Sequence, residues 1–352
     1  MKQIGSVVAG CVCALLVLEG ALRAFESRVA PPPPRILSDS FHSPSVAISQ
    51  LEEGVSVAHF SSAGARLTGH PAIEGAPTVV ILGDSYVMAR EVGDAATMGA
   101  QLEALARADR LPINVRQYGW SGASPAQYLL VAPQILARWR PLRVIVALSS
   151  NDLDHAAMTG EWPRLAVDAA GEAQVIGDAM DTTNVGGVRS ALGMLASHRT
   201  TALLLRAPKW TRRFLDRPQV GQPTRLGPNP TAVVDPSDLT RLPSAVVRGL
   251  ASSYGPRLTL VYLADVGPDS GQAPAAIESR LLDACRAESV DCVSTRSAML
   301  EARSNGIIGR GLETRELGRG HLNPDGHQIV ASVMWRTLRS SAALPAGSHG
   351  RE

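Results

Sequence analysis

Val79-Val80-Ile81-Leu82-Gly83-Asp84-Ser85-Tyr86 is the stretch that decides the fold. Four apolar β-formers run straight into Gly-Asp-Ser, as in a fully buried strand ended by a turn. Behind the turn, Val87, Met88, Val92, Met98, Leu102 and Leu105 recur at roughly helical spacing, which predicts a helix over Val87–Ala106. Ser85 therefore stands where a strand ends and a helix begins. At the carboxyl end of a central strand its side chain can face a crevice. Its backbone N–H lies near a helix N-terminus, where developing negative charge is stabilised. A serine that attacks a carbonyl needs both properties, although Gly-Asp-Ser by itself is also an ordinary turn and N-cap sequence.

Outward from this stretch, strand and helix alternate. Pro112–Tyr118 reads as a second strand, followed by Gly119-Trp120-Ser121-Gly122 and a helix over Pro125–Trp139. Arg143–Leu148 is a third strand, ending in Ser149-Ser150-Asn151-Asp152. Leu258–Leu263 and Val290–Val293 supply a fourth and a fifth, with a helix over Pro274–Arg286 between them. His321 lies in a loop before a last helix, Pro324–Leu338. Strands separated by helices predict a parallel α/β sheet with helices on both faces. Between Asp154 and Leu250 the pattern weakens. About 155–250 reads as a long insertion over the active edge, of the lid-forming kind. It carries a basic cluster from Arg199 to Arg217, either a solvated face or a contact for anionic lipid headgroups.

The amino-terminal residues read differently. Lys2 precedes an uncharged apolar run, Ile4–Leu18, interrupted by Glu19. Met1–Ala30 is expected to be a signal anchor or transmembrane helix, with a cleaved signal peptide as the alternative. Pro31–Pro34 form a stiff spacer. Residues 31–75 read as an irregular linker and lead-in, 76–340 as the folded domain, and 341–352 as a polar, disordered tail.

Composition excludes several classes. The 352 residues carry a net charge of +2, so no strongly charged partner is implied and no nucleic acid is expected. Lys2 and Lys209 are the only lysines. There is no P-loop and no G-x-G-x-x-G after a strand. Of the four cysteines, Cys285 and Cys292 could form a disulfide or remain two buried thiols. His321 with Asp325 and His327, and Asp152-Leu153-Asp154-His155, lack distinctive ligand spacing, so no metal or cofactor is expected. Ser85 lacks the second glycine of G-x-S-x-G, which argues against an α/β-hydrolase-fold lipase.

Each remaining polar candidate follows a strand or lies in the last loop, and in a doubly wound sheet such positions converge on one crevice. A serine nucleophile needs a base, which His321 supplies. The oxyanion needs donors, for which the Ser85 and Gly122 N–H groups and the Asn151 amide are placed. This set resembles the SGNH (GDSL-like) hydrolase family. Gly83-Asp84-Ser85-Tyr86 matches its first block, Tyr118 to Gly122 the second, Ser149-Ser150-Asn151-Asp152 the third and His321 to His327 the fourth. The resemblance implies a flavodoxin-like three-layer α/β/α sandwich. In it Ser85 is nucleophile, His321 general base, and Gly122 and Asn151 oxyanion donors.

Two positions depart from the family pattern. Ser149 replaces a usual glycine. Gly318 and Arg319 occupy the places, two or three residues before the histidine, where the family carries its triad acid. Glu316 is a nearby carboxylate that could serve instead, but its spacing does not support it. Three functions follow. The chain is a membrane-anchored serine esterase acting on an acyl or acetyl ester; or an O-acyltransferase on an envelope polysaccharide; or a degenerate domain that binds a glycan or partner. The expectation adopted is the esterase. Its substrate would be an acylated polysaccharide or lipid, and its catalytic domain would lie on the periplasmic side of a bacterial inner membrane, or be secreted after signal cleavage.

Overall fold

The computed structural model describes residues 45–51, 54–61, 63–120, 122–154, 157–158, 163–176, 236–266, 275–312 and 317–341. Five strands, β3 (Thr78–Gly83), β4 (Asn114–Gly119), β5 (Arg143–Leu148), β8 (Leu258–Tyr262) and β9 (Asp291–Ser294), form a sheet in the order β4-β3-β5-β8-β9. Every pairing in it is parallel. Counted along the chain the order is 2-1-3-4-5, that of a flavodoxin-like doubly wound sheet.

The continuous apolar runs of the strands are explained by burial on both faces. Val80, Leu82, Val144, Val146, Leu148, Leu258 and Leu260 point into one core, with α3 (Pro125–Trp139), α4 (Pro236–Tyr254) and α5 (Ala276–Ala287). Their neighbours Val79, Ile81, Ile145, Ala147 and Val261 point into the other, with α2 (Met98–Ala108) and α7 (Pro324–Ser340). The period of two along each strand thus sorts its side chains between two helical layers. Cys285 on α5 and Cys292 on β9 are joined by a disulfide.

Several elements differ from the sequence reading. The helix expected over Val87–Ala106 is two helices. The four-residue α1 (Ser85–Met88) ends at Ala89, whose φ of 52° is left-handed, and α2 starts afresh with Thr97 as N-cap, its side chain accepting from Ala100 N. The lead-in before Gly75 contains an antiparallel hairpin, β1 (Ser45–Leu51) with β2 (Gly54–Phe60), in register Leu51 with Gly54. The weak pattern between Asp154 and Leu250 contains the hairpin β6 (Arg164–Val167) and β7 (Ala173–Ile176) and most of the 19-residue helix α4. Leu242, Val246 and Leu250 of α4 are fully buried, so this helix belongs to the core rather than to a lid. A further helix, α6 (Arg296–Ser304), follows β9.

Among the described residues no helix is long and apolar enough to cross a membrane. The expected anchor Met1–Ala30, the spacer Pro31–Pro34, the basic cluster Arg199–Arg217, Pro274 and the tail from Ala342 all lie outside the described residues.

Candidate active site

The first three candidate blocks emerge side by side. Leu82 pairs with Tyr118 on one side and with Val146 on the other, so the carboxyl ends of β4, β3 and β5 are neighbours. Ser85 follows β3, Gly122 follows β4, and Asn151 lies in the 3-10 turn Ser150–Leu153 after β5. Ser85 is half-buried, whereas Gly122 and Asn151 are exposed.

The Ser85 turn is held from several directions. Asp84 caps α1, its side chain accepting from Tyr86 N at 2.9 Å. Trp120 N donates to Gly83 O at 3.1 Å, and Gln117 Nε2 donates to Val87 O at 2.5 Å while its Oε1 accepts from Gly99 N at 2.7 Å. Gln117 thereby ties α1 to the start of α2. Gly119 permits the approach of β4 to α1: a Cβ there would lie 1.9 Å from Met88 N. Gly122 has φ +73°, a left-handed conformation that glycine adopts without strain.

His321 comes from the far end of the chain. Its O accepts from Gly311 N at 3.1 Å, and Leu322 bridges Arg310. Asn323 caps α7, accepting from Gly326 N at 2.9 Å, and donates through Nδ2 to Ile308 O and Gly311 O. Held this way, His321 Nε2 lies 2.9 Å from Ser85 Oγ. The Tyr86 ring packs 5.2 Å from the imidazole, and Arg310 Nη1 donates to the Tyr86 hydroxyl at 2.7 Å. The other imidazole nitrogen, Nδ1, faces Glu91 Oε1 at 3.8 Å. Leu317 to Gly320 carry no carboxylate, and Glu316 lies outside the described residues.

Beneath Ser85 is a buried polar cluster that the sequence reading did not anticipate. Ser149 Oγ lies 3.1 Å from both Asp84 Oδ2 and Asp152 Oδ2. Ser149 N donates to Asp152 Oδ2 at 2.8 Å, and Tyr128 OH donates to Asp152 Oδ1 at 3.1 Å. Burial pushes both carboxyls up, Asp152 well above the usual carboxylate range, with the Asp84 charge adding to the effect on Asp152. One hydroxyl hydrogen cannot serve two carboxylates. A proton held on the pair resolves this, because Ser149 Oγ can donate to one carboxyl and accept from the other. Ser149, the departure from glycine, thus joins the Asn151 turn to the Ser85 turn.

His327, near His321 in sequence, is fully buried in α7, and burial lowers it to about 3, so it is a neutral packing group. His59 is half-buried and pairs with Asp94. Among the described residues no group of three or more histidine, cysteine, aspartate or glutamate side chains is arranged to hold a metal ion.

No family model and no curated protein matches the chain. Among solved structures, TesA is similar at 12% identity and a TM-score of 0.39, over 74% of this chain and 98% of that one. The acetyl xylan esterase AlAXEase is similar at 14% identity and a TM-score of 0.40, over 74% and 99%. A lipase/acylhydrolase from Enterococcus faecalis is similar at 12% identity and a TM-score of 0.41, over 75% and 95%. At such identities and TM-scores the chemistry of this chain has to be read from its own residues. Gly83-Asp84-Ser85, Gly122, Asn151-Asp152 and His321, in that order around a parallel 2-1-3-4-5 sheet, give the chain its resemblance to the SGNH (GDSL-like) hydrolase family.

Proposed function

We propose that this chain is a serine hydrolase of ester bonds, acting on an acyl or acetyl ester through an acyl-enzyme. The observation that carries the reading is the 2.9 Å contact between Ser85 Oγ and His321 Nε2. A serine hydroxyl is a weak nucleophile until a base within about 2.6–3.2 Å takes its proton. In the proposed reaction Ser85 Oγ bonds to the acyl carbon as its proton moves to Nε2, and the carbonyl π pair moves onto oxygen. The Ser85 and Gly122 N–H groups and the Asn151 amide donate to that oxyanion. Collapse breaks the ester C–O bond, and the alcohol leaves with the proton from Nε2. Water then repeats the sequence, freeing the acid and restoring Ser85.

The substrate class proposed is an acylated envelope polysaccharide or lipid. Met1–Ala30 would serve as the anchor, with the catalytic domain outside the membrane. A carboxyl-terminal reporter that is active only in the cytoplasm would refute that orientation. The chemistry is tested with the full chain in detergent, treated with a fluorophosphonate and analysed by mass spectrometry. The expected result is one adduct on Ser85, absent from Ser85→Ala. On an acetyl ester, Asn151→Ala is expected to lose about 10²–10³ in kcat, the usual cost of one oxyanion donor. No adduct in the folded wild-type protein overturns the reading.

A further inference from the structure

The imidazole that faces Ser85 presents its second nitrogen to a carboxylate from a distant part of the chain. His321 Nδ1 is 3.8 Å from Glu91 Oε1, and the Glu91 side chain is only 4% exposed. Glu91 lies in the stretch between α1 and α2, where the expected helix is broken. The left-handed turn at Ala89 redirects the chain. Val92 O then accepts from Arg66 Nη2 at 2.7 Å, and Arg66 pairs with Asp94 Oδ1 at 3.1 Å. Arg66 is itself buried, with its guanidinium over the Phe60 ring at 5.5 Å. The stretch is thus fastened on its inner side, and Glu91 is held under the imidazole.

A buried carboxylate is costly unless it faces a positive or donating group. Arg66, which attracts Glu91 electrostatically, and the imidazole edge both help to meet that need. The separation is longer than a hydrogen bond, but catalytic contacts without substrate are often long and tighten in the complex. A carboxylate on the Nδ1 side keeps the proton there and leaves the Nε2 lone pair for Ser85.

We propose that Glu91 is the positioning carboxylate of this site, holding the Nδ1 proton of His321 and stabilising the imidazolium formed when Nε2 takes the Ser85 proton. The proposal rests on the esterase reading. The proton that moves is the one between Ser85 Oγ and Nε2. Other groups act on the same ring. Arg310, across Tyr86, disfavours the imidazolium. Buried Asp84 favours it, and His327 on α7, being neutral, is nearly without effect. Removing Glu91 takes a favourable charge away from the ring.

The test follows the imidazole of His321 by nitrogen-15 NMR in the full chain, in detergent, for wild type, Glu91→Gln and Glu316→Gln. In the wild type, the neutral ring is expected to carry its proton on Nδ1. In Glu91→Gln, which keeps size and loses charge, the ring is expected to titrate about one pH unit or more lower. Ser85 should then react with a fluorophosphonate about 10²–10⁴-fold more slowly. A neutral wild-type ring protonated on Nε2 overturns the proposal without any variant, should Glu91→Gln fail to fold. So does an unchanged titration in Glu91→Gln, or a fall in Glu316→Gln with none in Glu91→Gln. If Glu91→Gln lowers the titration while wild-type Ser85 takes no adduct, the pairing stands and the esterase reading fails.

Discussion

The buried pair of carboxyls under Ser85 makes a quantitative prediction for Asp152→Asn. In the folded chain Asp152 is fully buried beside Asp84 and titrates well above the usual carboxylate range, chiefly because burial penalises its charge. In the unfolded chain an aspartate titrates near 3.9. The folded state therefore binds the extra proton throughout the interval between these values. With more protons on the folded state, stability is full below the unfolded value and falls as pH rises toward the folded one. The slope for one proton is about 1.4 kcal/mol per pH unit. An asparagine can keep the geometry. Its Oδ1 accepts from Ser149 N and Oγ where Asp152 Oδ2 does now, and its amide nitrogen donates to the Tyr128 hydroxyl, which accepts as readily as it donates. It cannot ionise, and it relieves Asp84 of a like-charged neighbour.

The stability difference, variant minus wild type, should therefore grow with pH. From pH 5 to pH 7 the growth follows at most the single-proton slope, on the order of 1 kcal/mol per pH unit. The assay is urea unfolding of both proteins at matched ionic strength across that range. Parallel stability curves, or a variant that loses ground as pH rises, would refute the claim that a buried proton is held here. The direct loss from swapping a carboxyl for an amide shifts the whole curve and leaves the slope unchanged, so the two effects separate.

Other substitutions probe the remaining parts. Gly119→Ala places a Cβ 1.9 Å from Met88 N, against backbone that cannot rotate away, so β4 and α1 must part. A displacement of roughly 1 Å costs about 10²-fold in rate, and Ser85 labelling by a fluorophosphonate should slow by that much; wild-type labelling would show that the approach of β4 does not position Ser85. His327, lowered by burial to about 3, binds fewer protons folded than unfolded, so its contribution is present above about 6.5 and is lost as pH falls toward 3. His327→Phe should flatten the acid limb of the stability curve, and an unchanged limb in circular dichroism would place the acid sensitivity elsewhere.

Much of the fold is legible because the strands are buried on both faces. Arg143–Leu148 and Pro125–Trp139 begin and end where their apolar runs and turn residues say they should. Periodicity fails where two patterns meet. Val87 to Ala106 keeps apolar residues near helical spacing across a break, although Gly93-Asp94 and Thr97, a turn and an N-cap, mark it. Leu239, Leu242, Val246 and Leu250 of α4 recur helically too, but Pro243 and the Pro/Gly-rich stretch before Pro236 hide them. The hairpin β1–β2 alternates only weakly among serines. α6 is short and mostly polar, with Met299 its main buried apolar contact.

The site divides in the same way. The placement of Ser85, Gly122 and Asn151 is legible because each follows a strand, and the sheet order makes those strand ends adjacent. What cannot be read locally is a partner recruited across the fold. Ser149 looks like a lost glycine until Asp84 and Asp152 are seen at 3.1 Å on either side of its hydroxyl. The place two or three residues before His321 looks like a lost acid until Glu91, far upstream, is seen facing Nδ1. Taken from the sequence alone, these two departures favour a degenerate domain. Yet a domain released from catalysis gains nothing from burying a carboxylate under an imidazole, or two carboxyls beneath a serine, since each such burial costs stability. Polar groups held at that cost are best explained by work at the surface they support, and here that surface is the Ser85–His321 pair.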